Sequence, residues 1–215
     1  MNVKFQPPLL RKRKTRDPCP RCYLHRERCI CHLMDPPLDL RTRVTLVVHA
    51  KELKRTTNTG RLAMQILKNS EICVRGQSRL PLDLSSILKA DYDTFLLSPS
   101  ADAIELTSLE SSSRKKPIHL IVPDGNWRQA SKVHSRHAEL RNVPRVKLSR
   151  PPEFVSEAAL RKEHFSDGMA TLEAIAHALA HLEGPAPAAR LFALYNAKLS
   201  ATIEGRQPSA SKLLR

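Results

Sequence analysis

The chain has 215 residues and carries 36 Lys and Arg against 21 Asp and Glu, a formal charge of +15. The length suits one domain with an appendage, and the charge speaks to partners rather than fold: nucleic-acid phosphate first, an anionic surface second. No apolar run reaches transmembrane length, no segment sets a basic face against a strong apolar one, and the basic N-terminus lacks a signal peptide's apolar region; the expectation is a cytoplasmic protein with reduced thiols and no membrane partner.

Residues 1–17 read as a flexible basic arm, with Arg11, Lys12, Arg13 and Lys14 in a row. The arm is either a phosphate-binding tail or a solvated end. Cys19-Pro-Arg-Cys22 and Cys29-Ile-Cys31 follow, within residues 18–35. A CxxC turn sets two thiolates on one side of a metal, and a second close pair completes a tetrahedron. A closed site of four thiolates is structural rather than catalytic, so Cys19, Cys22, Cys29 and Cys31 are predicted to hold zinc, with His25 and His32 as nearby alternatives. Disulfides do not suit a reducing compartment, and a redox CxxC needs no second pair. Cys73 stands apart and reads as a small core residue.

Beyond a proline-bearing linker, residues 40–205 read as one α/β domain. Arg43 to Val48 is a short β-branched strand ending at His49. A polar segment then leads into a helix that Thr57, Asn58 or Thr59 could cap, and whose start, beside Asn58, Thr59 and Arg61, either suits an anion or is ordinarily capped. Thr94 to Ser98 and Arg145 to Ser149 are further strands, each running into a polar or proline-bearing turn. Ile118 to Val122 is a buried-strand pattern broken by Pro123, Asp124 and Gly125. Asp124 is left at the strand's carboxyl end, where ligands of open α/β sheets collect. It reads either as a catalytic base on a sharp turn or as the cap of a helix over 128–140, with Trp127, the only tryptophan, as core filler. Leu172, Ile175, Ala176, Leu179 and Leu182 recur at helical steps until Gly184-Pro185, and Leu191, Leu194, Tyr195 and Leu199 give a last amphipathic helix. His177 and His181 lie one turn apart without an acid motif and read as surface histidines.

Taken together, these motifs resemble a known family. Asp124-Gly-Asn-Trp127 resembles the D-x-x-W signature of the DTW-domain proteins, the tRNA-uridine aminocarboxypropyltransferases. The cysteine cluster, the segment holding His49, Glu52, Asn58, Thr59, Gly60 and Arg61, and Thr171-Leu-Glu-Ala174 are similar to the family's other motifs in order and interval, from about residue 18 to residue 200. Asn126 stands where the family usually has Thr or Ser, and Ala50 where proline is common. The resemblance implies a SPOUT-like knotted sheet flanked by helices, with the small zinc-binding cysteine cluster at its N-terminal side. It also implies S-adenosylmethionine as co-substrate, tRNA as partner, and transfer of the 3-amino-3-carboxypropyl group to N3 of a uridine. Asp124 and Trp127 are then the catalytic pair. Leu97, Ser98, Pro99, Pro123, Gly125, Asn126, Leu148 and Arg150 would hold the adenosyl part. His49, Asn58, Thr59, Arg61, Arg128 and Arg161 would meet the substrates. A SPOUT-type RNA methyltransferase and a non-enzymatic zinc-containing RNA-binding module are the competing readings.

Overall fold

A computed structural model describes residues 17–53, 55–77, 82–109, 115–149 and 169–205. Residues 1–16 of the basic arm, Arg150, Arg161 and the C-terminal tail lie outside the described residues. Six strands form one parallel sheet: β1 (Arg43–His49), β2 (Ser70–Arg75), β3 (Asp93–Leu97), β4 (Ile104–Glu105), β5 (Ile118–Asp124) and β6 (Arg145–Lys147), in the order β2-β1-β5-β3-β6-β4. The helices are α1 (Ala50–Leu53), α2 (Gly60–Ile66), α3 (Trp127–Ala130), α4 (Lys132–Arg136), α5 (Thr171–Leu182) and α6 (Pro185–Glu204). β5 enters between β1 and β3, and β6 between β3 and β4, so each later strand separates two earlier ones.

Alternation along the strands builds two cores. Val44, Leu46 and Val48 of β1, with Leu120 and Val122 of β5, face α2, α5 and α6 in the larger cluster. Val47, Leu96 and Ile121 face the other way, onto Val133, Leu140 and Ile87. Both faces of the central strands are therefore covered, as a parallel sheet requires. Among the described residues no helix is long and apolar enough to cross a membrane.

The four expected strands are present, and two that the pattern does not announce lie at the edges. β2 is only half-buried until Arg75, and β4 is two residues long; neither has the continuous apolar run that marks a central strand. The helix expected over 128–140 is not continuous. It breaks into α3, α4 and a 3₁₀ turn at Ala138–Leu140, with His137 extended between the last two. Val133 and Leu140 are the two buried residues of α4 and that turn, too few to hold a long helix against the sheet. α5 forms over the expected residues, and Gly184 ends it at φ 92°, a backbone state glycine adopts without penalty. Pro185 then opens α6 at a first-turn position that lacks nothing by losing its N–H. His177 is half-buried rather than on the surface, its ring edge-on to Phe192 with centroids 4.8 Å apart, whereas His181 is exposed.

The cysteine segment joins the larger core. Cys19, Cys22, Leu24, Ile30 and Met34 are buried in the same cluster as α2, α5 and α6.

Candidate active site and metal centre

Where β5 ends, the sheet opens. The β3–β5 pairing stops at Leu96 opposite Ile121, while β1 accompanies β5 as far as Val48 opposite Asp124. Pro123, which brings no N–H, falls in this stretch flanked by β1 alone, the setting in which a strand tolerates proline. β5 and β3 are thus unpaired at the carboxyl edge, beside the point where the strand order reverses, the place where open α/β sheets take their ligands.

Asp124 closes that strand and is 6% exposed. Its Oδ1 accepts from the Thr171 hydroxyl at 2.5 Å, and its Oδ2 accepts from Asn58 Nδ2 in a short bond. Asn58 is bound at its other end too, its Oδ1 accepting from the N–H of Arg61 at 3.1 Å. Asn58 is thus the cap of α2 and at once a donor to Asp124. Thr59 Oγ1 accepts from the N–H of Leu172 at 3.3 Å, so the starts of α2 and α5 are tied to each other as well as to the carboxylate. Gly60 lets them approach: a Cβ there would lie 2.9 Å from Thr171 Cγ2. Glu173, three residues past Ala170, accepts from the Ala170 N–H at 3.2 Å and fixes the α5 entry.

The helix that follows Asp124 is capped from Asn126, whose Oδ1 accepts from the N–H of Gln129 and whose own N–H donates to Gln129 Oε1, both at 2.9 Å. This reciprocal pair is a capping box built on asparagine and glutamine. A Cβ at Gly125 would come within 2.9 Å of Gln129 Cβ, so glycine is needed for that closure. Trp127 is the first residue of α3; its side chain lies outside the described residues. Arg128 is exposed on the same short helix.

Leu97 ends β3, Ser98 and Pro99 follow it, and Leu148 follows β6. The N–H of Ser98 donates to the Val146 carbonyl at 2.8 Å, holding the two strand ends together. The three turns expected to wall one site therefore share one edge of the sheet. His49 ends β1, one residue past the partner of Asp124. Arg61 turns the other way: it is 7% exposed, its guanidinium lies 3.1 Å from the Tyr23 ring centroid, and its Nη2 donates to the Arg21 carbonyl at 3.3 Å.

That contact leads to the cysteines. The sulfurs of Cys19, Cys22, Cys29 and Cys31 all lie within 4.8 Å of one another. Cys19 is 3.6 Å from both Cys29 and Cys31, and Cys22 is 3.9 Å from Cys29. A tetrahedral ion with metal–sulfur bonds of about 2.3 Å spaces its sulfurs about 3.8 Å apart, so the cluster fits such an ion as it stands. Burial opposes ionisation of Cys19, but the N–H groups of Cys22 and Arg21 and the neighbouring thiols hold it down to about 6. Burial and the adjacent thiols push Cys31 up. His32 is exposed and His25 accepts from the N–H of Glu27, so neither joins the four sulfurs. Lys198 of α6, fully buried, donates to the Cys22 carbonyl at 2.8 Å, and burial, then Arg61, lowers it to about 8.

Lys198 is a site residue that the sequence reading passes over, and Thr171 enters it only within the Thr171-Leu-Glu-Ala174 motif. As the first residue of α5, ahead of an apolar helical stripe, Thr171 gives no local sign of its reach to Asp124. Lys198 follows Leu191, Leu194 and Tyr195 at helical steps, and a lysine on an apolar stripe is a signal in itself.

The DTW domain family model matches residues 16–203. The chain is 27% identical over 176 residues to tRNA-uridine aminocarboxypropyltransferase 2 of Macaca fascicularis, covering 79% of this chain and 58% of that protein. The mouse protein of the same name, from Mus musculus, is 27% identical over 173 residues, covering 78% and 57%. tRNA-uridine aminocarboxypropyltransferase A of Arabidopsis thaliana is 28% identical over 192 residues, covering 77% and 72%. The chain thus spans less than two thirds of the two mammalian relatives. No solved structure matches it.

Proposed function

The chain belongs to the DTW-domain family, and from that premise we propose that it is an enzyme that transfers the 3-amino-3-carboxypropyl group of S-adenosylmethionine to N3 of a uridine in tRNA. The observation that carries the reading is the clamp on Asp124: a buried carboxylate at the open carboxyl edge, held by Asn58 and Thr171 from two helix starts. A carboxylate oriented in this way by Asn58 and Thr171 is a base held in one position, which is what removal of a substrate proton requires.

The chemistry is a displacement. Uridine N3 is a weak acid and attacks only as it loses its proton, which Asp124 accepts. The new bond forms from N3 to the methylene carbon attached to sulfur. The carbon–sulfur bond breaks, its electron pair stays on sulfur, and methylthioadenosine leaves. Three carbons on a sulfonium are open to attack, so orientation selects the product. Leu97, Ser98, Pro99, Pro123, Gly125, Asn126 and Leu148, at strand ends and turns along one sheet edge, are assigned to the adenosyl part. Arg150 and Arg161, outside the described residues, and exposed Arg128 are assigned to the carboxylate or to phosphate. His49 belongs to the substrate side, Asn58 and Thr59 act through Asp124 and the helix starts, and Arg61 positions α2 against the cysteine segment.

A zinc ion in the four-cysteine cluster would be closed to substrate and structural. The cysteines and the cations on the Arg21 and Cys22 carbonyls would brace the start of α2 and hence Asn58. The order of strands, with β5 set between β1 and β3, supports a SPOUT-like knotted fold for residues 40–205. The formal +15 and the basic arm at 1–17 support tRNA as partner.

Mass spectrometry of the reaction with unmodified tRNA tests the reading. Methylthioadenosine and a tRNA heavier by one aminocarboxypropyl group are the expected products. S-adenosylhomocysteine with methylated tRNA would make it a methyltransferase, and unaltered tRNA would leave a binding module.

A further inference from the structure

The carboxyl edge carries a second group of polar side chains, on the side of Asp124 away from β3. Arg75 ends β2 in register with His49 at the end of β1. Arg75 is 5% exposed, and its Nη1 donates to the Gln129 carbonyl at 2.6 Å. That bond ties it to α3 but engages one of five guanidinium donors. No acidic side chain forms an ion pair with Arg75 among the described residues. Its neighbour in charge is instead Arg136, the exposed last residue of α4; burial first, and then Arg136, holds Arg75 below its ordinary value.

His49 completes the group. Its Nδ1 accepts from the N–H of Lys51 at 3.2 Å, so the proton of the neutral ring sits on Nε2 and can be donated. The ring lies against Gly76, where a Cβ would come within 2.7 Å of Nε2. Gly76 also turns at φ +79°, so glycine serves twice. Burial, then Arg75 and Lys51, lowers His49, with Glu52 opposing and Arg136 adding to the fall. Glu52 is engaged by Arg55 at 3.2 Å.

Arg75 is thus a nearly buried cation without an ion pair among the described residues, in register with the N–H donor His49 and tied to α3, the short helix that leads into α4 and Arg136, an arrangement that is costly until an anion arrives. We infer that Arg75, His49 and Arg136 form a phosphodiester-binding subsite, seating a backbone phosphate of the RNA strand whose base faces Asp124. The inference rests on the tRNA reading above. Two strand spacings, about 10 Å, separate β2 from β5, a span suited to a nucleotide lying from base edge to phosphate. The turns assigned to S-adenosylmethionine leave β3, β5 and β6, so its carboxylate is expected on the other side of Asp124.

The test uses the whole chain and an unmodified tRNA transcript. Arg136→Gln, at an exposed position, is expected to weaken tRNA binding about tenfold. The log–log slope of affinity against salt should become shallower by about one. His49→Phe, which keeps a ring but loses the donor, should weaken binding without changing that slope. S-adenosylmethionine affinity and the thermal midpoint should stay at wild-type values in Arg136→Gln. A methylphosphonate scan of the RNA should find one linkage whose neutralisation weakens wild type but not Arg136→Gln. An unchanged slope and affinity in Arg136→Gln, with wild type binding tRNA, would reduce these cations to a cap on α3 and overturn the subsite alone. Loss of S-adenosylmethionine affinity instead would assign the group to the co-substrate carboxylate and also overturn it. If wild type binds no tRNA, the functional reading fails, and the same titration with a single-stranded oligonucleotide decides the subsite by itself.

Discussion

Asn58 and Asp124 form a donor–acceptor pair that can be exchanged, and the exchange separates architecture from chemistry. Asn58→Asp keeps an oxygen for the N–H of Arg61 but sets a second carboxylate against Asp124. At 4 Å and an effective dielectric of 20, two such charges repel by about 4 kcal/mol. The alternative, taking up one proton at pH 7 against an ordinary carboxyl value near 4, also costs about 4 kcal/mol. Asn58→Asp is therefore expected to lose about 4 kcal/mol of stability at pH 7. The pair keeps a proton that the unfolded carboxyls have released, so the variant's deficit should grow as pH rises above about 4 and shrink below it. Asp124→Asn turns two charge-assisted bonds into neutral ones, about 1 kcal/mol each. The double variant Asn58→Asp with Asp124→Asn restores one carboxylate and one amide with their roles reversed. It should recover up to about 3 kcal/mol relative to the sum of the singles. Urea unfolding measures this, and methylthioadenosine release measures transfer. Stability should return in the double variant while transfer stays down about a hundredfold or more. Transfer at the wild-type rate in the double variant would remove Asp124 as the base. Strict additivity of the singles would mean that the Asn58–Asp124 bond does not hold the site.

Three further outcomes are expected. Metal analysis should find about one zinc per chain, and Cys19→Ser with Cys22→Ser should lower the thermal midpoint, since both residues are buried in the main core; a metal-free wild type that melts at the same temperature after chelation would refute this. Gly60→Ala should cost about 1–3 kcal/mol through contact with Thr171 and Leu46, and Thr171→Ser, which removes Cγ2 but keeps the hydroxyl, should recover part of it in unfolding experiments. His119 is fully buried, bonded to Thr45 Oγ1 at 2.8 Å, and burial followed by Arg43 lowers it to about 4; the unfolded imidazole protonates near 6.5, so about 3 kcal/mol of stability present above pH 6.5 should be lost as pH falls to 4, and His119→Gln should flatten that limb.

Much of the positioning frame is legible in the residues. β1, β5 and α5 follow from β-branched and helical periodicity, because each is buried on a face that its own sequence writes out. The position of Asp124 follows from the Pro123–Gly125 break. What it touches does not: Thr171 and Asn58 lie 47 and 66 residues away and meet it through the order of strands, which local pattern does not encode. The broken helix after Trp127 shows the converse, a helical composition without enough apolar contacts to hold one straight axis. Arg75 is hidden for a further reason. Its strand is an edge strand, and a terminal arginine there reads as solvated until the register with His49 and the turn of α3 bury it.

The bond from Lys198 to the Cys22 carbonyl spans 176 residues, and it sets an order of events during synthesis. At roughly 5–20 residues per second, the cysteines wait on the order of ten to thirty seconds before α6 leaves the ribosome. Through that interval Cys22 and Leu24 lack the helix that shares their core, and a metal ion on the four thiols would be what gathers them. Ion capture would then precede closure of the core, with α6 laid over the cluster last. A chain stopped ahead of Pro185 is expected to bind metal yet leave its cysteines open to alkylation.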